Sequence, residues 1–321
     1  MHEIETIAWT GEVPWHGLGT RVPGDLAPAE MLVKAGLDWT ADLVPLYYDC
    51  AGGKRCQVPQ RAMVRSSDGK LLDVVGRDWK PVQNATALDF FSDFVRKGDM
   101  AMETAGSLRE GRHVFALAKI KNGFEVVKGD RIGGYLLFSN PHTYGKAPSI
   151  LLTHVRVVCW NTITQALNHG GRARYSWSHL QDFTSDHAEM AKEALGLARR
   201  QQIEMKERMQ VLASARAKRE DVEVYFRRVL RPGASVAPQG KGKVAKAPRN
   251  LGIAMQALEQ QPGARLGEGT LWQAFNAITF VTDHVLGKNQ DARVSSALFG
   301  SYAALKQRAL EVGLDMAKTL R

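Results

Sequence analysis

Apolar residues recur along this chain first at every second position and later at every third or fourth, and the change of period divides it. Between Asp42 and Gly76, the runs Leu43-Val-Pro-Leu-Tyr-Tyr48, Ala62-Met-Val-Arg65 and Leu71-Leu-Asp-Val-Val75 are short and rich in β-branched and aromatic residues, and they predict strands. Ser67-Asp-Gly-Lys70 places a glycine where a tight hairpin wants one. A second β-rich block holds Met102-Glu-Thr-Ala105, Arg112 to Ile120, Gly134-Tyr-Leu-Leu-Phe138 and Ser149 to Val158. Two helices interrupt these strands. One covers 27–36, with Pro28 in its first turn and Gly36 at its end; the other is capped by Asn84 and carries Leu88, Phe90, Phe91, Phe94 and Val95 at helical spacing. Asn161-Thr-Ile-Thr-Gln-Ala-Leu-Asn168 predicts a further helix, capped by Asn161 and stopped by Gly170-Gly171. From Arg172 to His179 the period of two returns, with Arg172, Arg174, Ser176 and Ser178 on one face and Tyr175 and Trp177 on the other.

Beyond Phe183 the pattern is helical. A long helix to Ala213 carries Phe183, His187, Met190, Ala194, Leu197, Gln201, Met205, Met209 and Leu212 in one near-heptad stripe, suited to helical core or to pairing between subunits. A second helix covers 221–230. Residues 231–249 are basic, rich in Pro and Gly and poor in apolar side chains, and predict a flexible linker. Helices follow at 250–260, 271–285 with Thr270 as cap, and 294–320. The expected class is α+β: a mostly antiparallel N-terminal sheet region with a β-β-β-α core, then long helices and an all-helical C-terminal part. The expected divisions are 1–181, 182–230, 231–249 and 250–321.

Composition narrows the setting. The 321 residues are 44% apolar and 24% charged, ordinary for a soluble globular protein, and the net charge of +10 suggests polyanionic company. No apolar run is long enough to cross a membrane, and Met1-His-Glu-Ile-Glu-Thr lacks the features of a signal peptide, so the cytoplasm is the expected location. Cys50, Cys56 and Cys159 are an odd count and predict reduced, structural thiols, although Ala51-Gly-Gly-Lys-Arg55 forms a hairpin-like turn that could bring the first two together.

One stretch departs from the rest. Residues 131–181 contain no Asp or Glu, yet carry Arg131, Lys146, Arg156, Arg172 and Arg174 among Tyr135, Phe138, Tyr144, Trp160, Tyr175 and Trp177. Cations among aromatics are what a groove needs to neutralise phosphates and stack unpaired bases. Arg156, Arg172, Arg174, Lys146 and Lys121 are the candidate phosphate contacts, and Trp160, Tyr175 and Trp177 the candidate stacking platforms. A plain sheet core accounts for Tyr135 and Phe138 equally well. The Trp15-His16-Gly17 segment reads as an N-terminal arm plugged into the core.

Catalytic motifs are missing from the sequence: it has no Walker loop, dinucleotide fingerprint, Gly-x-Ser-x-Gly or His-Glu-x-x-His. Asp73, Asp78, Asp99, Glu103 and Glu125 show no recognisable metal-ligand spacing. No cofactor or metal is therefore expected.

Pro14-Trp-His-Gly-Leu-Gly19, Ala35-Gly-Leu-Asp-Trp39, Lys80-Pro-Val-Gln-Asn84, Thr104-Ala-Gly-Ser-Leu108, Val155-Arg-Val-Val-Cys159 with Asn161-Thr162, and Gly269-Thr-Leu-Trp-Gln-Ala-Phe-Asn276 resemble a family of phage- and plasmid-encoded proteins of unassigned function. The resemblance implies a phage or plasmid setting among DNA-metabolism genes and carries no catalytic residues with it. The β-β-β-α order is also similar to single-strand annealing proteins of the Red-beta, RecT and Erf type, which work without nucleotide hydrolysis as rings or filaments. The expected function is single-stranded DNA binding and annealing by a homo-oligomer, with a phage exonuclease or a host single-strand-binding protein as further partners. Two alternatives stay open: an interaction protein that binds a host defence or replication factor through its helical stripe, and a metal-dependent nucleic-acid-processing enzyme.

Overall fold

The computed structural model describes residues 4–11, 18–158, 161–166, 168, 169, 172, 173, 176, 178–180, 187–230 and 249–320. The strands are β1 (Ile4–Trp9), β2 (Thr20–Arg21), β3 (Ala41–Asp49), β4 (Arg55–Arg65), β5 (Leu71–Val75), β6 (Met100–Leu108), β7 (His113–Ile120), β8 (Phe124–Glu125), β9 (Arg131–Pro141), β10 (Ser149–Arg156), β11 (Asn161–Ala166), β12 (Asn168–His169) and β13 (Arg172–Ala173). Short helices α1 (Pro28–Lys34), α2 (Asn84–Asp89) and α3 (Ser92–Arg96) lie among them. After these come α4 (His187–Ser214), α5 (Arg219–Leu230), α6 (Leu251–Gln260), α7 (Leu271–Phe280), α8 (Gln290–Phe299) and α9 (Ser301–Ala317), with a π-helical turn at Val281–Val285. The class is α+β, as the periods predict. No helix among the described residues is long and apolar enough to cross a membrane.

The chain clusters into two units. Unit 1 takes residues 1–121, 135–152 and 166–199; unit 2 takes 122–134, 153–165 and 200–321. The main sheet has the order β11-β10-β9-β7-β6-β1-β2, with β8 beside β9. β3, β4 and β5 form a separate antiparallel sheet in unit 1. The unit 1 core joins Leu136, Phe138, Ile150 and Leu152 to Phe90, Phe91 and Phe94 and to Ala194, Leu195, Leu197 and Ala198 at the start of α4. The unit 2 core joins Met205, Met209 and Leu212 of α4 to Tyr225, Phe226, Leu271, Trp272, Phe275 and Leu310. The helical stripe is therefore occupied by the chain's own cores at these positions, which removes it as a surface for partners there. Phe183 lies outside the described residues.

Two helix predictions need correction. Asn161–Ala166 is a strand, so the three core strands are followed by a fourth and not by a helix. Thr162, Ile163 and Thr164 are β-branched and favour extended chain. The Asn161 amide, expected to cap a helix, instead donates to the Asn276 carbonyl (3.3 Å) and to Thr279 Oγ1 (2.7 Å) in unit 2. Asn84 is likewise not a cap: the cap position is Gln83, and the Asn84 amide donates to the carbonyls of Leu37 (3.1 Å) and Trp39 (3.3 Å). Thr270 does cap α7, accepting from the Gln273 N–H. The last predicted helix is two, broken where Gly300 turns extended.

His113, His142 and His154 are buried, and burial holds each near a pKa of about 3. Lys146, Arg109 and His142 add to the effect on His113, and His179 adds to that on His142. Unfolded, each titrates at its ordinary 6.5, so below that value the unfolded chain binds protons that the native chain refuses. Their contribution is complete above about pH 6.5 and is lost as pH falls toward about 3. Denaturant unfolding followed by tryptophan fluorescence should show stability declining through this window, by at most about 1.4 kcal/mol per pH unit for each histidine. His154→Leu should remove one histidine's share of the slope; an unchanged slope in that variant contradicts the assignment.

Candidate nucleic-acid interface

Among the described residues the strongly exposed aromatic rings are three tyrosines, Tyr47 (50%), Tyr48 (54%) and Tyr144 (64%), and all belong to unit 1. Tyr47 and Tyr48 sit on a ribbon formed by the far ends of β3 and β4. The register shifts between Pro45 and Tyr47, and the shift absorbs Pro59, which has no N–H to give to the ladder. Past that point nearly every residue on both faces is exposed. Tyr47 pairs with Gln57, and the Arg55 guanidinium lies 5.4 Å from the Tyr47 ring centroid. This cation–π contact keeps the ring extended beside a positive charge. Lys54, Gln60 and Arg61 are exposed nearby. The hairpin also brings the sulfurs of Cys50 and Cys56 into bonding contact, so these two are not the free thiols that the sequence predicts.

Tyr144 stands on the loop after β9. Its N–H donates to Asp73 Oδ2 (2.8 Å), and its ring lies 5.8 Å from that of Trp79. Trp79 in turn stacks on His179, with centroids 4.0 Å apart and planes at 20°. His179 donates from Nδ1 to the Lys80 carbonyl (3.0 Å), and burial lowers its pKa. The base of the loop is fixed by His142, which donates to Asn84 Oδ1 (2.9 Å), the same amide that ties Leu37 and Trp39. A buried base beneath an exposed ring suits a stacking platform, because the ring is placed before any base arrives. Lys146 is exposed two residues after Tyr144, and Lys80 is exposed next to Trp79 in sequence.

The expected site residues divide. Lys146 is exposed two residues from Tyr144, and Lys121 is exposed after β7, with its N–H donating to the Asp99 carbonyl (2.9 Å). Of Arg172 the structure describes the backbone, in β13. Trp160, Arg174, Tyr175 and Trp177 lie outside the described residues. Arg156 is a correction: it is 3% exposed and donates from Nε and Nη2 to Asp130 at 2.7–3.0 Å. A guanidinium already held by a buried carboxylate cannot reach a phosphate. Tyr47, Tyr48 and Arg55 were missed, although two adjacent tyrosines before a Cys-x5-Cys turn with two glycines would have signalled an exposed ribbon. The acids weighed as metal ligands are dispersed: Asp99 pairs with Arg199 (2.9 Å), Glu103 with Lys119 (3.9 Å), and Asp73 holds the Tyr144 backbone. Among the described residues no three of His, Cys, Asp or Glu stand close enough to hold a metal ion.

Unit 2 buries two ion pairs, Arg156–Asp130 and Lys306–Asp283. Asp130 also accepts from Trp272 Nε1 (2.8 Å), and the Arg156 guanidinium lies 5.7 Å from the Trp272 ring centroid. Lys306, fully buried, donates to Asp283 Oδ1 and to Thr162 Oγ1, both at 2.7 Å, and Asp283 Oδ2 accepts from the Thr162 N–H (2.6 Å). Burial lowers the Lys306 pKa and Asp283 opposes that shift. A cavity with room for roughly one water lies among Ile132, His154, Arg156, Asn161, Trp272 and Asn276, too small for an organic cofactor.

The model of a domain of unknown function, DUF932, matches residues 71–299. The chain belongs to the DUF932 family. The match opens on the first residue of β5 and closes on the last of α8, so it includes Tyr144, Asp130, Arg156, Thr162, Trp272 and Asp283. The β3–β4 ribbon and α9, with Lys306, lie outside the DUF932 match. No curated protein and no solved structure matches the chain significantly.

Removing one member of a buried ion pair leaves an uncompensated charge, so Lys306→Met should destabilise the protein by about 3–5 kcal/mol. Adding Asp283→Asn removes that charge and should restore part of the loss, a coupling of at least about 1 kcal/mol. Denaturant midpoints of the two single variants and the double variant measure it; strictly additive losses contradict the pairing.

Proposed function

We propose that this chain binds single-stranded nucleic acid through unit 1 and promotes the annealing of complementary strands. The observation that carries the reading is the exposure of Tyr47 and Tyr144 with cations at hand, Arg55 over the one ring and Lys146 two residues from the other. Every base has a face to stack and every nucleotide a phosphate to neutralise, so such contacts hold a strand whatever its sequence. They engage backbone and base faces and leave the pairing edges available to a second strand, with no need for nucleotide hydrolysis. The net charge of +10 adds long-range attraction for any polyanion. Arg172, Arg174, Tyr175 and Trp177 belong to the same proposal as further phosphate and base contacts, and so does the phage or plasmid setting that the sequence motifs imply.

Binding of a labelled single-stranded oligonucleotide, titrated at several salt concentrations, tests this. Affinity should fall with salt and exceed affinity for the matching duplex. Tyr144→Ala should cost about 1–3 kcal/mol, roughly fivefold to more than a hundredfold in Kd, if one base stacks there. Arg55→Ala should flatten the slope of log K against log salt by about 0.7 if Arg55 neutralises one phosphate. Salt-independent binding or a preference for duplex overturns the reading.

A further inference from the structure

We propose that Cys50 and Cys56 form a reversible thiol–disulfide exchange site that sets the order of the β3–β4 ribbon. The register puts Cys56 opposite Tyr48, and the Cys50 N–H donates to the Lys54 carbonyl (2.7 Å), so the two cysteines stand diagonally on one face of the ribbon. Their Cα atoms are 6.0 Å apart, inside the span a disulfide bridges without moving the backbone. Both cysteines are part-exposed and residues 51–55 between them are exposed, so a small thiol has access to either sulfur. Lys54 and Arg55 are adjacent in the chain, and positive charge stabilises the anionic sulfur through which exchange passes.

The turn itself is weakly determined. Gly52 and Gly53 adopt φ of 85° and 75°, with open space around both, and the ribbon past the register shift has little burial on either face. An exposed two-stranded ribbon is marginal by itself. The cross-link reinforces the short ladder and the turn's hydrogen bonds in holding Tyr48 and its neighbours in one arrangement. In the exchange, the thiolate of a glutathione-type thiol attacks one sulfur. The S–S bond breaks, a mixed disulfide forms, and the departing protein thiolate takes a proton. A second thiolate resolves the mixed disulfide. In net terms two small thiols become one small disulfide, and the protein disulfide gains two electrons and two protons. The consequence for nucleic acid rests on the binding reading above, because Tyr47, Tyr48 and Arg55 ride on this ribbon; the exchange itself does not.

The full-length protein, equilibrated in glutathione buffers of stepped thiol-to-disulfide ratio, is acid-quenched, alkylated and weighed. The chain has three cysteines, so one adduct is expected in the oxidised form and three in the reduced form, joined by a single two-electron transition. Hydrogen exchange at the amides of 47–57 should accelerate at least about tenfold on reduction, and Cys50→Ser should exchange at the reduced rate in every buffer. Three adducts throughout, one adduct throughout, or a transition without change in ribbon exchange overturns the proposal. Oligonucleotide binding is read in parallel: a chain that passes both measurements yet binds no strand in either state sustains the exchange site and removes the binding reading.

Discussion

A carboxylate withdrawn from water must be met by donors, and in unit 2 two such carboxylates determine what their surroundings can do. Asp130 gathers Arg156 and Trp272; Asp283 gathers Lys306 and both donors of Thr162. Each set joins segments far apart in sequence: β10 and α7 through Asp130, β11 and α9 through Asp283. Left unpaired, any of these charges would cost several kcal/mol, so the segments that carry them are held to one arrangement. Asn161 works in the same way without charge, joining β11 to α7 and accepting from His284 (3.1 Å) on the π-helical turn. These bonds fix β11 as a strand, in line with its β-branched Thr162, Ile163 and Thr164 and against the capping signal of Asn161.

Unit 1 buries a cation, Arg65, which pairs with Glu5 (2.7 Å) and Asp68 (2.6 Å), and settles several other polar groups with neutral side chains. Asn84 and His142 bridge α2, the chain before β3 and the loop after β9, and Asn140 donates to the Val82 carbonyl (2.9 Å). The histidines stay uncharged at neutral pH because burial opposes the cation and their partners need only one N–H. Unit 1 carries charge outside, on Arg55, Lys54, Arg61, Lys80 and Lys146. In unit 2 two of the cations sit inside, already matched.

The periods of the sequence made the class legible, because strand and helix patterns reflect burial on one face and burial dominates both cores. Three strands of the small sheet, the hairpin of β6 and β7 and the long helix α4 could be read directly. Helix 161–168 could not, since its strand state depends on Asn276, Thr279 and Asp283, more than a hundred residues away. The division into discontinuous units was hidden for the same reason: it is decided by contacts between segments and not within them. Of the candidate site, Lys146 was legible because an exposed loop cation has no internal partner to find. Tyr47 and Tyr48 were legible only through the Cys-x5-Cys turn that follows them, because a strand pattern alone does not say how far a strand runs past the body it belongs to.

The acid-free window 131–181 shows where linear charge misleads. Its most promising arginine, Arg156, is neutralised by Asp130, one residue before the window opens. Charge in sequence counts neighbours along the chain, whereas a phosphate meets charge in space, after internal pairs have formed. Trp272, expected as part of a family motif, completes that pair instead of facing a ligand. The residues left to act outward are those with one side open to water: a ribbon exposed on both faces and a loop whose base is buried and whose ring is exposed. A surface assembled from such residues depends on how firmly each is held: Tyr144 by a buried amide and histidine, and the ribbon by a cross-link that closes over five intervening residues.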